Sequence, residues 1–130
     1  MILPYLVIAP SNFGGEGGLG VYSSKALKEG MVIEISPVII LNPDERKLVE
    51  ATKLYNYIFE WGVDSKDAAV GLGYLSMYNH SYHSNCEYEM DFESRTMQIK
   101  TMKAIKKGEE LLINYNGNFD DTTPVWFDVL

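Results

Sequence analysis

The sequence predicts a mostly β domain with one short helix. Three observations carry that reading. Short apolar runs rich in β-formers recur along the chain, and glycine fills five of the seven positions from Gly14 to Gly20. Only one segment opens with a full set of helix-start signals. Taken in order, residues 4–9 are a short apolar run bounded by proline and read as a strand. The glycine-rich stretch after them would lose too much backbone entropy on ordering to form a helix or a packed strand. Asn42-Pro43-Asp44-Glu45 supplies a cap residue, proline at the first helical position and acids in the first turn. A helix is therefore predicted from there to about residue 54. Tyr55, Tyr57, Phe59 and Trp61 then fall at period two, the pattern of a strand with one aromatic face. Residues 86–92 and 96–102 flank Glu93-Ser94-Arg95 as the arms of a hairpin, and residues 111–115 are one more short strand.

Composition bounds the function. At 130 residues the chain is one domain, 1–130, large enough to form a core without staples. The 46% hydrophobic and 22% charged fractions exclude a disordered or fibrous chain. The single cysteine, Cys86, excludes an internal disulfide framework and a cysteine-rich zinc cage. A net charge of −7 argues against binding nucleic-acid phosphates, so no direct DNA binding is expected, and it favours basic partners such as Lys- and Arg-bearing peptides. Residues 1–9 are apolar but too few to cross a bilayer, and they carry no basic flank, so a soluble intracellular protein without membrane attachment is expected.

One internal echo stands out. Lys25-Ala26-Leu27-Lys28-Glu29-Gly30 recurs as Lys103-Ala104-Ile105-Lys106-Lys107-Gly108, offset by 78 residues. Each copy reads as a strand end, a glycine-closed turn and a return strand. Two copies do not make a solenoid, and a common turn used twice explains them.

Three stretches could carry chemistry. The glycine-rich loop could bring bare backbone N–H groups close to an anionic ligand, but no Lys-Ser/Thr pair or following helix completes a phosphate loop. Residues 73–86 are dense in hydrogen-bonding side chains. There His80, His83 and Cys86 stand at three-residue steps that match no four-ligand metal spacing, so no metal is expected. Asn and His in such a turn more often hold backbone than react. In the third stretch, residues 108–117, Tyr115 closes an apolar run just before a turn, which leaves its hydroxyl at a rim or cleft.

In this order the three stretches resemble the SET domain, the lysine methyltransferase fold, over essentially the whole chain. Gly18-Leu19-Gly20-Val21-Tyr22 is similar to the family's G-x-G-[LV]-[FY] loop. Asn79-His80-Ser81-Tyr82-His83-Ser84-Asn85-Cys86 is similar to its N-H-S-x-x-P-N-C segment, and Glu110-Leu111-Leu112-Ile113-Asn114-Tyr115 to its E-L-x-x-D-Y segment. The strand turns of the 78-residue echo suit the same pattern. The resemblance implies several short twisted sheets, a pseudoknot-like C-terminal crossing and one short inserted helix. It implies S-adenosylmethionine as cofactor, held by Gly18, Leu19, Gly20, Asn79 and His80. The aromatic C-terminal run places Trp126 either as a cover for the cofactor or lysine entry or as a residue that docks the C-terminus on the core. It implies Tyr115 as the catalytic residue, and Tyr78, Tyr88 and Ile113 as substrate-channel positions. The implied partner is a lysine-bearing basic protein or peptide, histone or otherwise.

The chemistry suits these residues. Methyl transfer to an amine is an in-line displacement, so positioning supplies much of the rate. The lysine must lose its proton, which an apolar channel promotes. Departures from the family pattern are Ser84 for the usual Pro, Asn114 for the usual Asp, and Glu34-Ile35-Ser36-Pro37 where a Y-x-G motif is expected. The last leaves one channel wall unassigned. No cysteine cluster follows Tyr115, so a zinc-bound lid is not expected. A SET-fold binding module without turnover, and a methyltransferase acting on a non-histone protein or small basic molecule, are the competing readings. The oligomeric state is open.

Overall fold

The computed structural model describes residues 1–14, 17–117 and 122. Nine strands and one α-helix are formed among them. The strands are β1 Leu6–Pro10, β2 Leu19–Ser23, β3 Val32–Leu41, β4 Ile58–Trp61, β5 Asp67–Gly71, β6 Asn79–His80, β7 Cys86–Asp91, β8 Thr96–Thr101 and β9 Glu110–Ile113. The helix, α1, is Pro43–Glu50, and short 3-10 turns occupy Lys53–Tyr57 and Leu75–Met77. One sheet runs β1-β2-β9-β6, the other β4-β5-β3-β8-β7. The mostly β prediction holds, with the crossing that the resemblance implies. β9 pairs antiparallel with β2 on one side and parallel with β6 on the other, Asn79 opposite Leu112 and His80 opposite Ile113.

The core lies between the sheets. Val21, Ile33, Met97, Ile99, Leu111 and Ile113 are fully buried. By contrast α1 has no buried residue. It is held by local chemistry instead: Asn42 and Glu45 form a capping box, and the Arg46 guanidinium donates to the carbonyls of Ser65 at 2.8 Å and Asp67 at 3.1 Å. Arg46 also pairs with Glu50 at 3.3 Å and Glu60 at 3.2 Å, tying the helix to the β4–β5 turn.

Three sequence expectations shift. α1 stops at Glu50, short of residue 54, because Thr52 intervenes. Its hydroxyl donates to Val49 O and accepts from Leu54 N, capping the 3-10 turn rather than continuing the helix. Tyr55 and Tyr57 consequently lie in that turn, and only residues 58–61 of the aromatic run are strand. The glycine-rich stretch does yield strand at its end. Gly20 sits inside β2, where a Cβ would collide with the Glu110 carboxylate.

The 78-residue echo is a structural pair. Leu27 and Ile105 exchange both backbone hydrogen bonds, at 2.8 and 2.9 Å. Gly30 N–H donates to Thr101 O at 2.8 Å, and Gly108 N–H to Ser23 O at 2.9 Å. Both glycines sit at φ +82° with open space where a Cβ would go. Gly30→Ala and Gly108→Ala should therefore each cost only the left-handed backbone strain, about 1–2 kcal/mol. Urea unfolding of the two variants checks this; a large difference between them would contradict the matched geometry.

Candidate active site

Two clusters form at the two ends of β9. At its start the buried Glu110 carboxylate faces Ser11 Oγ, 2.7 Å from both oxygens, Tyr22 Oη at 3.0 Å and Asn79 Nδ2 at 2.9 Å. Asn79 Nδ2 also reaches Leu19 O at 2.8 Å and Ser11 Oγ at 3.0 Å. Ser11 Oγ in turn accepts from the N–H groups of Phe13 at 2.9 Å and Gly14 at 3.2 Å. Both ends of the glycine-rich stretch are thus fastened to β6 and β9. The Asn79 carbonyl oxygen Oδ1 faces Gly14, where an added Cβ would sit 3.2 Å away.

At the far end Tyr115 lies two residues past β9. Its backbone N–H donates to His80 Nδ1 at 3.0 Å, and its hydroxyl donates to Tyr78 O at 2.8 Å. Burial lowers the His80 pKa, which keeps the imidazole neutral and Nδ1 an acceptor. Tyr88 Oη donates to Tyr115 O at 3.2 Å, and its ring packs on Phe59 with centroids 5.4 Å apart. Burial, and secondarily the charge of Glu60, pushes the Tyr88 phenol up to about 12. Burial, with Tyr57, Tyr88 and Glu110 adding to it, raises Tyr115 further above the usual tyrosine range.

A cavity of about 700 Å³ opens beside Tyr115. Tyr57 and Phe59 form one wall and Tyr88 and Met90 another, and polar groups including Glu60, Ser76 and Asn116 share the lining. It is a slot with aromatic walls and a polar edge, bordered by a phenol that stays protonated at neutral pH. Such a slot suits a long aliphatic side chain with a polar tip.

The structure brings Asn79, Gly20, Leu19 and Gly18 together around the start of β9, with Leu19 half exposed and the Gly18 carbonyl accepting from Ser11 N–H at 3.0 Å, whereas His80 lies at the far end of the strand against Tyr115. Tyr115 and Tyr88 meet at the cavity. Tyr78 and Ile113 do not line it: Ile113 is fully buried in β9, and Tyr78 turns its ring inward to Glu34, offering only its carbonyl to Tyr115. Trp126 lies outside the described residues. Sequence reasoning missed Tyr57 and Phe59 as cavity wall. Their period-two spacing was the available signal, but it reads equally as one face of a strand.

A family model for the SET domain matches residues 18–116. The chain is 31% identical over 112 residues to a histone-lysine N-methyltransferase, H3 lysine-37 specific, of Schizosaccharomyces pombe, covering 85% of this chain and 71% of that protein. It is 35% identical over 112 residues to human histone-lysine N-methyltransferase 2D, covering 80% of this chain but 2% of that much longer protein. Among solved structures it is similar to a candidate histone methyltransferase of Plasmodium falciparum, with TM-score 0.64, 29% identity, and 87% and 98% of the two chains covered. It also shares its fold, at TM-score 0.72 and 21% identity, with the Chaetomium thermophilum Polycomb Repressive Complex 2 bound to S-adenosylmethionine, covering 92% of this chain and 16% of that one.

The raised phenols predict alkaline sensitivity. In the unfolded chain tyrosine loses its proton near pH 10, whereas the folded state holds Tyr78, Tyr88 and Tyr115 protonated to higher pH, Tyr88 to about 12. Their contribution is complete below pH 10 and lost as pH rises through the folded values, at about 1.4 kcal/mol per pH unit per group. Unfolding midpoints should be level from about pH 8 to 9 and fall above about pH 10. Tyr88→Phe should make that fall shallower, and an unchanged slope would contradict the assignment.

Proposed function

The chain belongs to the SET-domain family of protein-lysine methyltransferases, and from that premise we propose that the cavity beside Tyr115 is its lysine channel and the Glu110–Asn79 cluster its cofactor side. S-adenosylmethionine is the methyl donor of the family. The residues here fit it: the Asn79 carbonyl oxygen looks onto a glycine-lined space that any side chain at Gly14 would narrow, and the exposed Leu19 offers an apolar surface beside it. Gly18, Leu19, Gly20, Asn79 and His80 would hold the cofactor. Bound there, it supplies an electrophilic methyl group.

The observation that carries the reading is the fixed hydroxyl of Tyr115. Its single proton is donated to Tyr78 O at 2.8 Å, so toward an incoming amine N–H the hydroxyl oxygen acts as an acceptor rather than a donor. A phenol does this without the negative charge of a carboxylate, which would hold the incoming lysine as ammonium. Desolvation against the aromatic walls acts in the same direction by disfavouring the charged amine, opposed by the Glu60 carboxylate at the more exposed edge of the cavity. Tyr57 and Phe59 supply aromatic wall to the cavity without a Y-x-G motif, which supports the methyltransferase reading over a mere binding module. The acidic chain suits a basic substrate, and histones are the substrate class its relatives are named for. That activity would be exercised at chromatin. Among the described residues no helix is long and apolar enough to cross a membrane.

Calorimetry with S-adenosylmethionine followed by a radiolabelled methyl-transfer screen over core histones tests the proposal. Binding and transfer are expected. Binding with no transfer to any protein would favour the module, and no binding would remove the cofactor assignment. Tyr115→Phe should lower kcat by about 100-fold or more while leaving cofactor affinity within about twofold. Tyr88 constrains the channel with both its ring and its bonded hydroxyl, so mono-methylation is expected to dominate. Mass spectrometry of Tyr88→Phe products should show more di- and trimethyl lysine; an unchanged distribution would sink that role.

A further inference from the structure

Glu34 is a fully buried carboxylate in β3 that does not itself line the cavity. Its Oε2 accepts from Ser36 Oγ at 2.7 Å and from Tyr74 N–H at 2.8 Å, and its Oε1 accepts from Tyr78 Oη at 2.8 Å. Gly73, at φ +60°, lets the backbone close over this group, since a Cβ there would lie 2.5 Å from both Glu34 Oε2 and Ser36 Oγ. Among the described residues its donors are two hydroxyls and one amide, with no Lys or Arg among them. A buried carboxylate deprived of one such donor cannot recover it from water, so the Tyr78 ring is held firmly.

Tyr78 is therefore gripped at its tip, and it is the residue whose carbonyl receives the Tyr115 hydroxyl. It also directly precedes β6, joining the 3-10 turn Leu75–Met77 to Asn79. We propose that Glu34 is a positioning residue for methyl transfer: by anchoring the Tyr78 ring it fixes the Tyr78 carbonyl, which sets the direction of the Tyr115 O–H. The inference rests on the reading of Tyr115 given above. Release of the Tyr78 carbonyl frees the Tyr115 proton to rotate into the cavity, presenting a donor where the amine needs an acceptor. The effect falls on turnover rather than on substrate capture, because the cavity walls are untouched.

Tyr78→Phe removes the grip with little change of volume. Glu34→Gln satisfies the Tyr74 N–H only by turning its amide NH2 toward Tyr78 Oη, which replaces the acceptor that grips the phenol with a donor. Steady-state kinetics with a histone H3 peptide should show kcat reduced roughly tenfold in both variants, with peptide KM within about twofold of wild type. The readout free of turnover is the Tyr115 Cζ resonance in protein labelled with 4-13C tyrosine, assigned by its loss in Tyr115→Phe. It should shift in both variants without any substrate present. Should Tyr78→Phe fail to fold, Glu34→Gln carries both measurements. An unmoved Tyr115 resonance in a folded variant overturns the proposal whatever happens to kcat, and so does an unchanged kcat. A wild-type protein that transfers no methyl group would instead defeat the methyltransferase reading, while the resonance still decides whether Glu34 orients Tyr115.

Discussion

The site depends on the insertion of β9. Every residue of Glu110–Ile113 is buried, flanked by β2 on one side and a two-residue parallel partner, β6, on the other. So short a parallel pairing needs help, and Asn85 gives it: its Nδ2 donates to Glu110 O and its Oδ1 accepts from Leu112 N–H, both at 2.8 Å. Asn85 imitates an extra stretch of strand and pins the register. A one-residue slip would reverse which side chains face each sheet surface. In this register Glu110 lands under Asn79 and Ser11, while Tyr115 lands on His80. The two halves of the proposed site are therefore the two ends of one strand, and their separation is set by its length.

The interior around that strand is polar in a selective way. Glu34 and Glu110 are both buried, and both are held by hydroxyl and amide donors. The ion pairs among the described residues belong instead to Arg46, which fastens α1. Neutral donors satisfy a carboxylate and fix its direction without adding positive charge. In a domain proposed to take up a lysine, that difference counts. A buried guanidinium would repel an arriving ammonium, whereas hydroxyl partners leave the negative character of the domain intact. The same choice makes the network fragile, since each hydroxyl has one proton and one direction in which to spend it.

What was legible in the sequence was local, and what was not was long-range. The hairpin of β7 and β8 could be read because its turn chemistry is contained within it: Asp91 Oδ1 accepts from the N–H groups of Glu93 and Ser94, and Arg95 takes φ +56°. The start of α1 was readable for the same reason, but its end depends on the two bonds of Thr52, which propensity does not reveal. The period-two aromatics misled because pairing ends at Ile58 opposite Val70, so Tyr55 and Tyr57 have no partner strand and coil into a 3-10 turn. The echo was visible as a repeat, yet nothing in either copy says that Leu27 and Ile105 pair with each other. Asn79, His80 and Tyr115 came from motif resemblance. Glu34 bonds Tyr78 across 44 residues, and no local pattern announces that contact.

Burial at Tyr115 also resolves a chemical difficulty of the proposed reaction. Lysine and tyrosine titrate at nearly the same pH in water, about 10.4 and 10. In solution, then, no pH makes the amine mostly neutral while the phenol stays mostly protonated. Desolvation acts on both groups by the same rule, disfavouring whichever form is charged. For lysine the charged form is the acid, so desolvation against the aromatic walls lowers its pKa. For tyrosine the charged form is the base, so burial raises Tyr115, and raises Tyr88 to about 12. One physical cause thus moves the two values apart and opens a window in which a neutral amine meets a protonated phenol. The aromatic walls from Tyr57, Phe59 and Tyr88 widen that window from both sides, a contribution to catalysis from residues that need touch no reacting atom.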